Sequence, residues 1–336
     1  TGTTTVNLHA LVGTFYRPAP GRAKILADSL NFPSDLYALE GQILARGGDP
    51  ERDLVLAGSR DGRTLDEDEL IRLMTPDMAL VLLPSVLYRS GQLLDVGRLA
   101  AAARERGIPA GFDCSHSAGA VPHRFDEWGV DFAFWCSYKY LNGGPGSPAF
   151  LYVNRRHSGV RPLLAGWWGY EKSRQFDMAP EFRPAAGAAG FQISTPGILS
   201  AAPLEGALAL VREAGIVRIR EKSLRLTSFL IDLVDHLLPE ERYRVRVGTP
   251  REPARRGGHV ALEPGDDAWP LYQTLKGRGI IPDFRPPDVI RVAPVALYNT
   301  FHEVWRTVRV LQEILDNWEY QARSDLREDP RGGIRL

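Results

Sequence analysis

The sequence predicts an α/β chain: a large domain on a mostly parallel central sheet, followed by a smaller C-terminal α+β domain. Three observations carry this reading. The run "MALVLLPSVLY" at 78–88 is apolar almost throughout, the pattern of a strand buried on both faces. "DVGRLAAAARERG" follows with Val96, Leu99, Ala100 and Ala103 at helical spacing and leads into another short apolar stretch, so strand, helix and strand alternate. From about Leu199 that alternation stops, and long helices and half-apolar strands take over. The expected boundaries are 1–200 for the large domain, 201–325 for a bridging helix and the small domain, and 326–336 for an aperiodic tail.

Taken in order, "TGTTTVNLHALVGTFY" sets small hydroxyl residues before an apolar periodic run, the start signal of a helix. "AKILADSLNFPSD" and "DLVLAG" read as a strand, a loop, a helix and a further strand. "IPAGFD" is a short strand ending at Asp113, and "VDFAFWCSY" is another, ending at Tyr138 with Lys139 just beyond. In the second half, Ile219, Leu226, Leu230, Leu233 and Leu237 mark a long helix running from about Leu199 to just before Pro239. "RYRVRV" and "GGHVALE" alternate like half-exposed strands, a helix lies near Trp269 to Lys276, "VIRVAPV" is a strand, and "HEVWRTVRVLQEILDNWEYQA" is the closing helix.

Bulk composition narrows the partner. Lys plus Arg and Asp plus Glu balance at 41 each, which removes the basic footprint that nucleic acid or an anionic membrane surface requires. No run approaches the roughly 18 apolar residues of a membrane span. The expectation is a small-molecule partner, with neither nucleic acid nor membrane involved. Cys114 and Cys136 sit in apolar settings and no secretory leader is recognisable, so free thiols and a cytoplasmic location are expected. His9, His123, His157, His236, His259 and His302 show no metal-ligand spacing, and no metal is expected.

The chemistry gathers near Lys139, one of only five lysines. Asp113, His116, Tyr138 and Lys139 fall within 27 residues, with Asp113 and Lys139 beyond the carboxyl ends of strands, where α/β sheets bind ligands. Carbonyl chemistry needs a neutral amine, which an aromatic, desolvating setting favours. An aspartate facing a heterocyclic nitrogen keeps that nitrogen protonated. Pyridoxal 5'-phosphate (PLP) uses both, a lysine for its aldehyde and a protonated ring nitrogen for its electron sink. On spacing alone, a snorkelling lysine and a helix-capping aspartate account for the pair equally well.

Longer segments decide between these readings. "FDCSHSAGAVPHRFDEWGVDFAFWCSYKYLNGGPGSPAFLYV" resembles the core of kynureninase, a PLP enzyme of the aspartate aminotransferase fold, fold type I. The resemblance extends to "TVNLH" at 5–9, "NFPSD" at 31–35, "GWWG" at 166–169, "RGGHVALE" at 256–263 and "RVAPVALYNTFHEVW" at 291–305. It implies hydrolysis of L-kynurenine or 3-hydroxy-L-kynurenine to anthranilate or 3-hydroxyanthranilate plus L-alanine, in tryptophan catabolism or NAD biosynthesis. By the same resemblance Lys139 carries the Schiff base, Asp113 pairs with the pyridine nitrogen, and His116 lies beside the ring. Thr4 and Thr5 hold the phosphate at a helix N-terminus, Phe32 stacks on the ring, and Pro33, Ser34 and Asp35 shape the loop around it. Tyr138 bonds the phosphate and donates a proton, and Arg291 takes the substrate α-carboxylate. Trp167 and Thr195 complete the phosphate side from the neighbouring subunit of a homodimer. The resemblance also implies a further segment ahead of Thr1, with an arm that lines the substrate pocket. Pro84 stands where a hydroxyl residue near the cofactor is common, and whether the adjacent Ser85 substitutes for it is left open by the sequence. Aminotransferases and lyases share the fold, as does a degenerate protein without turnover; a desulfurase needs a loop cysteine in the C-terminal half, where this chain has none.

Overall fold

A computed structural model describes residues 1–323, so the expected tail at 326–336 lies outside the described residues. The chain divides into two compact units, 1–88 with 93–216, and 89–92 with the residues from 217 onward. The division falls later than the expected 200/201 because helix α4 (Pro203–Ala214) belongs with the first unit. Its Leu204 side chain is buried and fills the space a side chain would need at Gly143.

The first unit is a six-stranded sheet in the order β2-β1-β3-β4-β5-β6. Strands β1 (Lys24–Asp28), β2 (Leu54–Ala57), β3 (Met78–Pro84), β4 (Ala110–Asp113) and β5 (Phe132–Trp135) are parallel. Strand β6 (Phe150–Val153) runs antiparallel to β5 at the edge, and sequence periodicity gave no warning of it. Strand β3 is buried at all seven positions, as its unbroken apolar run predicts. The period of two sends Leu26, Val81, Leu83, Phe112 and Ala133 to one core and Ile25, Leu80, Leu82, Phe132 and Phe134 to another. Helix α3 (Val96–Glu105) covers the first through Leu99, Ala100 and Ala103. Helices α1 (Thr4–Phe15) and α2 (Pro33–Ala45) cover the second through Leu8, Leu11, Phe15, Leu39 and Ile43. Each fully buried Leu or Phe contributes about 1.5–3 kcal/mol, so two covered faces hold the strand ends in fixed positions.

Strand β5 ends at Trp135, short of the Tyr138 expected from the sequence. The hydroxyl of Ser137 bonds Ser147 Oγ and Pro148 O, each at 2.6 Å, and Ser137 O accepts from Gly143 N. Those bonds turn the chain into a loop, so Tyr138 and Lys139 leave the sheet rather than extend it.

The second unit has a four-stranded antiparallel sheet, ordered β7 (Arg246–Val247), β8 (Val260–Glu263), β10 (Val289–Val292), β9 (Asp283–Arg285). Helices α5 (Ile216–Leu237), α6 (Ala268–Gly277) and α7 (Phe301–Asp316) supply the rest of its core. The single long helix expected from Leu199 is broken at Gly215, whose φ of +76° ends α4. Strand β8, expected to be half-exposed, is buried at all four positions, since Val260 and Leu262 join the same core as α5 and α7. "RYRVRV" pairs over only two residues. The chain segment 89–92 is held within this unit: Thr249 Oγ1 donates to Ser90 O at 2.5 Å and Gly257 N to Gly91 O at 2.8 Å.

Candidate active site

Parallel strands deliver their carboxyl ends to one rim, and three of them end there in chemistry. Strand β1 ends at Asp28, β4 at Asp113, and β5 runs on to Tyr138 and Lys139. Asp113 Oδ1 accepts from Ser115 N at 2.7 Å, which starts the turn leading through His116. That turn passes close to the lysine loop. At Gly119 (φ +88°) a Cβ would lie 2.9 Å from the Tyr140 backbone, so only glycine permits the approach.

Asp35, in the first turn of α2, is brought against Asp113, close enough for the two carboxyls to act on one another. Burial pushes both carboxyls upward; for Asp35 the like charges of Asp113 and Asp28 add to that, carrying it well above the ordinary carboxylate range. Lys139 acts in the opposite sense on both. Asp35 was expected only to shape a loop; the structure makes it the partner of Asp113. Asp28 is fully buried, and burial pushes its carboxyl up to about 7. It accepts from Leu30 N at 3.0 Å and anchors the turn into Phe32. Sequence reasoning passed over Asp28, although "KILAD" ends an apolar strand in a carboxylate just as "IPAGFD" does.

Beside the acids, Lys139 Nζ stands 5.8 Å from the Tyr138 ring centroid. Burial, then the neighbouring Cys136 thiol, then Asp113 raise the Tyr138 phenol, so it keeps its proton. Cys136 lies just past the end of β5, its thiol donating to Ser115 O at 4.0 Å, whereas the sequence placed it within the strand. Burial also pushes the Cys114 thiol up to about 12, which excludes it as a nucleophile at neutral pH.

Thr3 caps α1 through its side chain, which accepts from Val6 N at 3.3 Å, and Thr4 and Thr5 form the first turn. Thr5 Oγ1 and Ser34 Oγ are 3.1 Å apart, joining the starts of α1 and α2. Ala149 N donates to Gly2 O at 2.8 Å, which ties the approach to α1 to the end of the lysine loop. Gly144 and Gly146 turn that loop at positive φ, as "NGGPG" predicts. Phe32 caps α2 next to Pro33 and meets Tyr88 edge-on at 5.5 Å, with 42% of its surface still exposed. Ser85 is used beneath the rim: its Oγ donates to Asp113 O at 3.0 Å and meets Ser117 Oγ at 2.6 Å, while His123 Nε2 reaches Ser117 Oγ at 2.8 Å.

The remaining expected residues stand elsewhere. Trp167 lies in a 3-10 turn, where its indole donates to Gln175 O at 3.2 Å, and Thr195 is exposed in an irregular segment. Arg291 is on β10 of the second unit, where its guanidinium is paired with Asp283.

The residues of the rim suit PLP. Oδ2 of Asp35 and Oδ2 of Asp28 are buried without a hydrogen-bond partner, so the acid cluster lacks a donor that a protonated ring nitrogen supplies. The start of α1 offers backbone N–H groups and hydroxyls to a phosphate. Phe32 offers an open ring face, and Lys139 an amine.

Comparison with known proteins agrees with this arrangement. Residues 44–260 match the aminotransferase class-V family, and residues 219–311 match the kynureninase C-terminal domain. A kynureninase of Geobacillus thermodenitrificans is 52% identical over 98% of this chain and 76% of its own length. One from Bacillus anthracis is 53% identical over the same shares. Among solved structures, a cysteine desulfurase from Thermococcus onnurineus superposes with a TM-score of 0.77 at 19% identity, covering 94% of this chain and 78% of that one. A C-DES variant with glycine covalently linked to its PLP cofactor gives 0.78 at 19% identity, covering 93% and 80%. At such identities these two share the fold, that of PLP-dependent fold type I. Among the described residues no helix is long and apolar enough to cross a membrane. With about half of its residues identical to those of curated kynureninases across nearly the whole chain, and its lysine and acids gathered on one rim, the chain belongs to the kynureninase family.

Proposed function

We propose that the chain is a PLP-dependent hydrolase that cleaves the Cβ–Cγ bond of L-kynurenine or its 3-hydroxy form, giving anthranilate or 3-hydroxyanthranilate and L-alanine. The observation that carries this reading is the pairing of Asp113 with Asp35 beside Lys139 at the sheet's carboxyl rim. Bound there, PLP supplies the electron sink that makes the α- and β-carbons of the substrate acidic. Lys139 would hold PLP through its amine and, with that amine free, would take the proton from the α-carbon. Asp113 and Asp35 hold a proton at the pyridine nitrogen, His116 lies beside the ring oxygen, and Phe32 lies against the ring face. Thr4 and Thr5 bind the phosphate at the start of α1, where the helix dipole favours an anion. Water would add to the γ-carbonyl and the Cβ–Cγ bond would break to release the aryl carboxylic acid, Tyr138, with its phenol raised, would give Cβ a proton, and Lys139 would return the α-proton before alanine leaves. Arg291 takes the α-carboxylate, a planar anion that a guanidinium binds through two parallel hydrogen bonds.

A homodimer is part of the proposal, with Trp167 and Thr195 serving the phosphate side of the partner's site. Ile198, Leu199 and Leu210 leave 60–90% of their surface exposed, an apolar area that suits cover by a second copy. The two buried free thiols fit a reducing compartment, such as the cytoplasm.

Borohydride reduction of the PLP-loaded protein should fix the label on Lys139. Lys139→Ala should lower kynurenine cleavage by at least about a thousandfold. Label on a different lysine, or anthranilate released by Lys139→Ala at the unaltered rate, overturns the reading.

A further inference from the structure

Arg291 does not stand alone on its strand. It lies directly opposite Asp283 in the antiparallel β9–β10 pair, and Asp283 and Arg285 share a face of β9 two residues apart. Arg291 Nε donates to Asp283 Oδ2 at 2.6 Å, and its Nη2 donates to the same oxygen. Arg285 Nε donates to that oxygen at 2.9 Å and its Nη2 to Oδ1 at 3.3 Å. The backbone beneath is fixed, because Val289 and Ile290 are buried.

We infer that Asp283 is a positioning residue for substrate recognition: it grips the Nε/Nη2 edge of Arg291 and so aims the Nη1/Nη2 end at the α-carboxylate of the substrate. This rests on the reading of Arg291 as the carboxylate clamp. The Arg291 side chain is 10% exposed and that of Asp283 45%, so the acid holds a largely buried guanidinium from its more open side. Both guanidinium groups lean on this one carboxylate. Removing the acid leaves two like charges side by side on one sheet face, which pushes the arginines apart. A clamp that needs two parallel hydrogen bonds is lost by such a rotation even though its charge remains.

The experiment measures KM and kcat for kynurenine with PLP-loaded Asp283→Asn, Arg291→Lys and the double variant, folding being checked by thermal melting. Asp283→Asn should raise KM by roughly tenfold or more with kcat within about threefold, and the double variant should be no worse than about threefold beyond Arg291→Lys alone. Inhibition by the decarboxylated amine of kynurenine, which has no carboxylate to aim, should be unchanged in Asp283→Asn. Asp283→Ser repeats the measurement if the amide variant does not fold. If Arg291→Lys raises KM while the Asp283 variants leave it unchanged or lower it, Asp283 is not a positioning residue, and a lowered KM makes it a competitor of the substrate. If Arg291→Lys itself leaves KM unchanged, the clamp reading fails first.

Discussion

Ionising Asp28 inside the folded chain costs free energy that its bond from Leu30 N does not offset, because burial is the dominant influence on it. Its carboxyl is raised from 3.8 to about 7, so the folded state keeps the proton longer than the unfolded state does. The stability this proton supports is complete below pH 4 and is lost as pH rises toward 7, for a total of about 4 kcal/mol. Asp28→Asn should therefore flatten the decline in melting temperature between pH 4 and 7; an unaltered slope would place the titration elsewhere. Residue by residue, the site was partly legible. Lys139 stood out because lysine is rare in this chain and follows a buried strand, and Asp113 because it closes one. Asp28 closes a strand too, but a carboxylate before "SLN" reads equally well as the start of a turn.

Elements succeed or fail in the sequence according to how long their pattern runs. Strand β3 and helix α3 each carry enough periodic positions to be unmistakable. Strand β9 has three residues, lies between Pro282 and Pro286, and reads as a loop, which is why the acid beside Arg291 was not anticipated. Strand β8 misled in another way, since alternation was taken for exposure when both of its faces are covered. The turn after β4 shows how one backbone position governs an element. Gly119→Ala would introduce a methyl group into the Tyr140 backbone at a φ that L-residues avoid. A loss of about 1–3 kcal/mol in stability is expected, together with weaker PLP retention because the lysine loop must move. Melting temperature and PLP titration measure both; a variant with native values for each would show that the loop does not depend on this contact.

For the whole molecule, the open matter is which chain supplies which group. Arg291 carried no pattern of its own among the 36 arginines, and Trp167 and Thr195 stood out only through resemblance, because a site assembled from distant segments leaves no spacing to read. In the structure the Trp167 indole bonds Gln175 O of its own chain. If Trp167 serves the partner's site, mixing Lys139→Ala with Trp167→Ala subunits should rebuild one intact site in each mixed dimer. Activity should then recover to about a quarter of the native value, since half of the dimers are mixed and each has one of two sites whole. No recovery after verified subunit exchange would return Trp167 to its own protomer.

Helix α4 bears on the fate of a lone protomer. It fully buries one side chain, Leu204, along its twelve residues. Without the covering copy proposed above, this segment would be where proteases and chaperones gain their first hold. In the proposed homodimer, assembly would then set the lifetime of the chain as well as complete its site, and a subunit left unpaired would be marked for removal by its own surface.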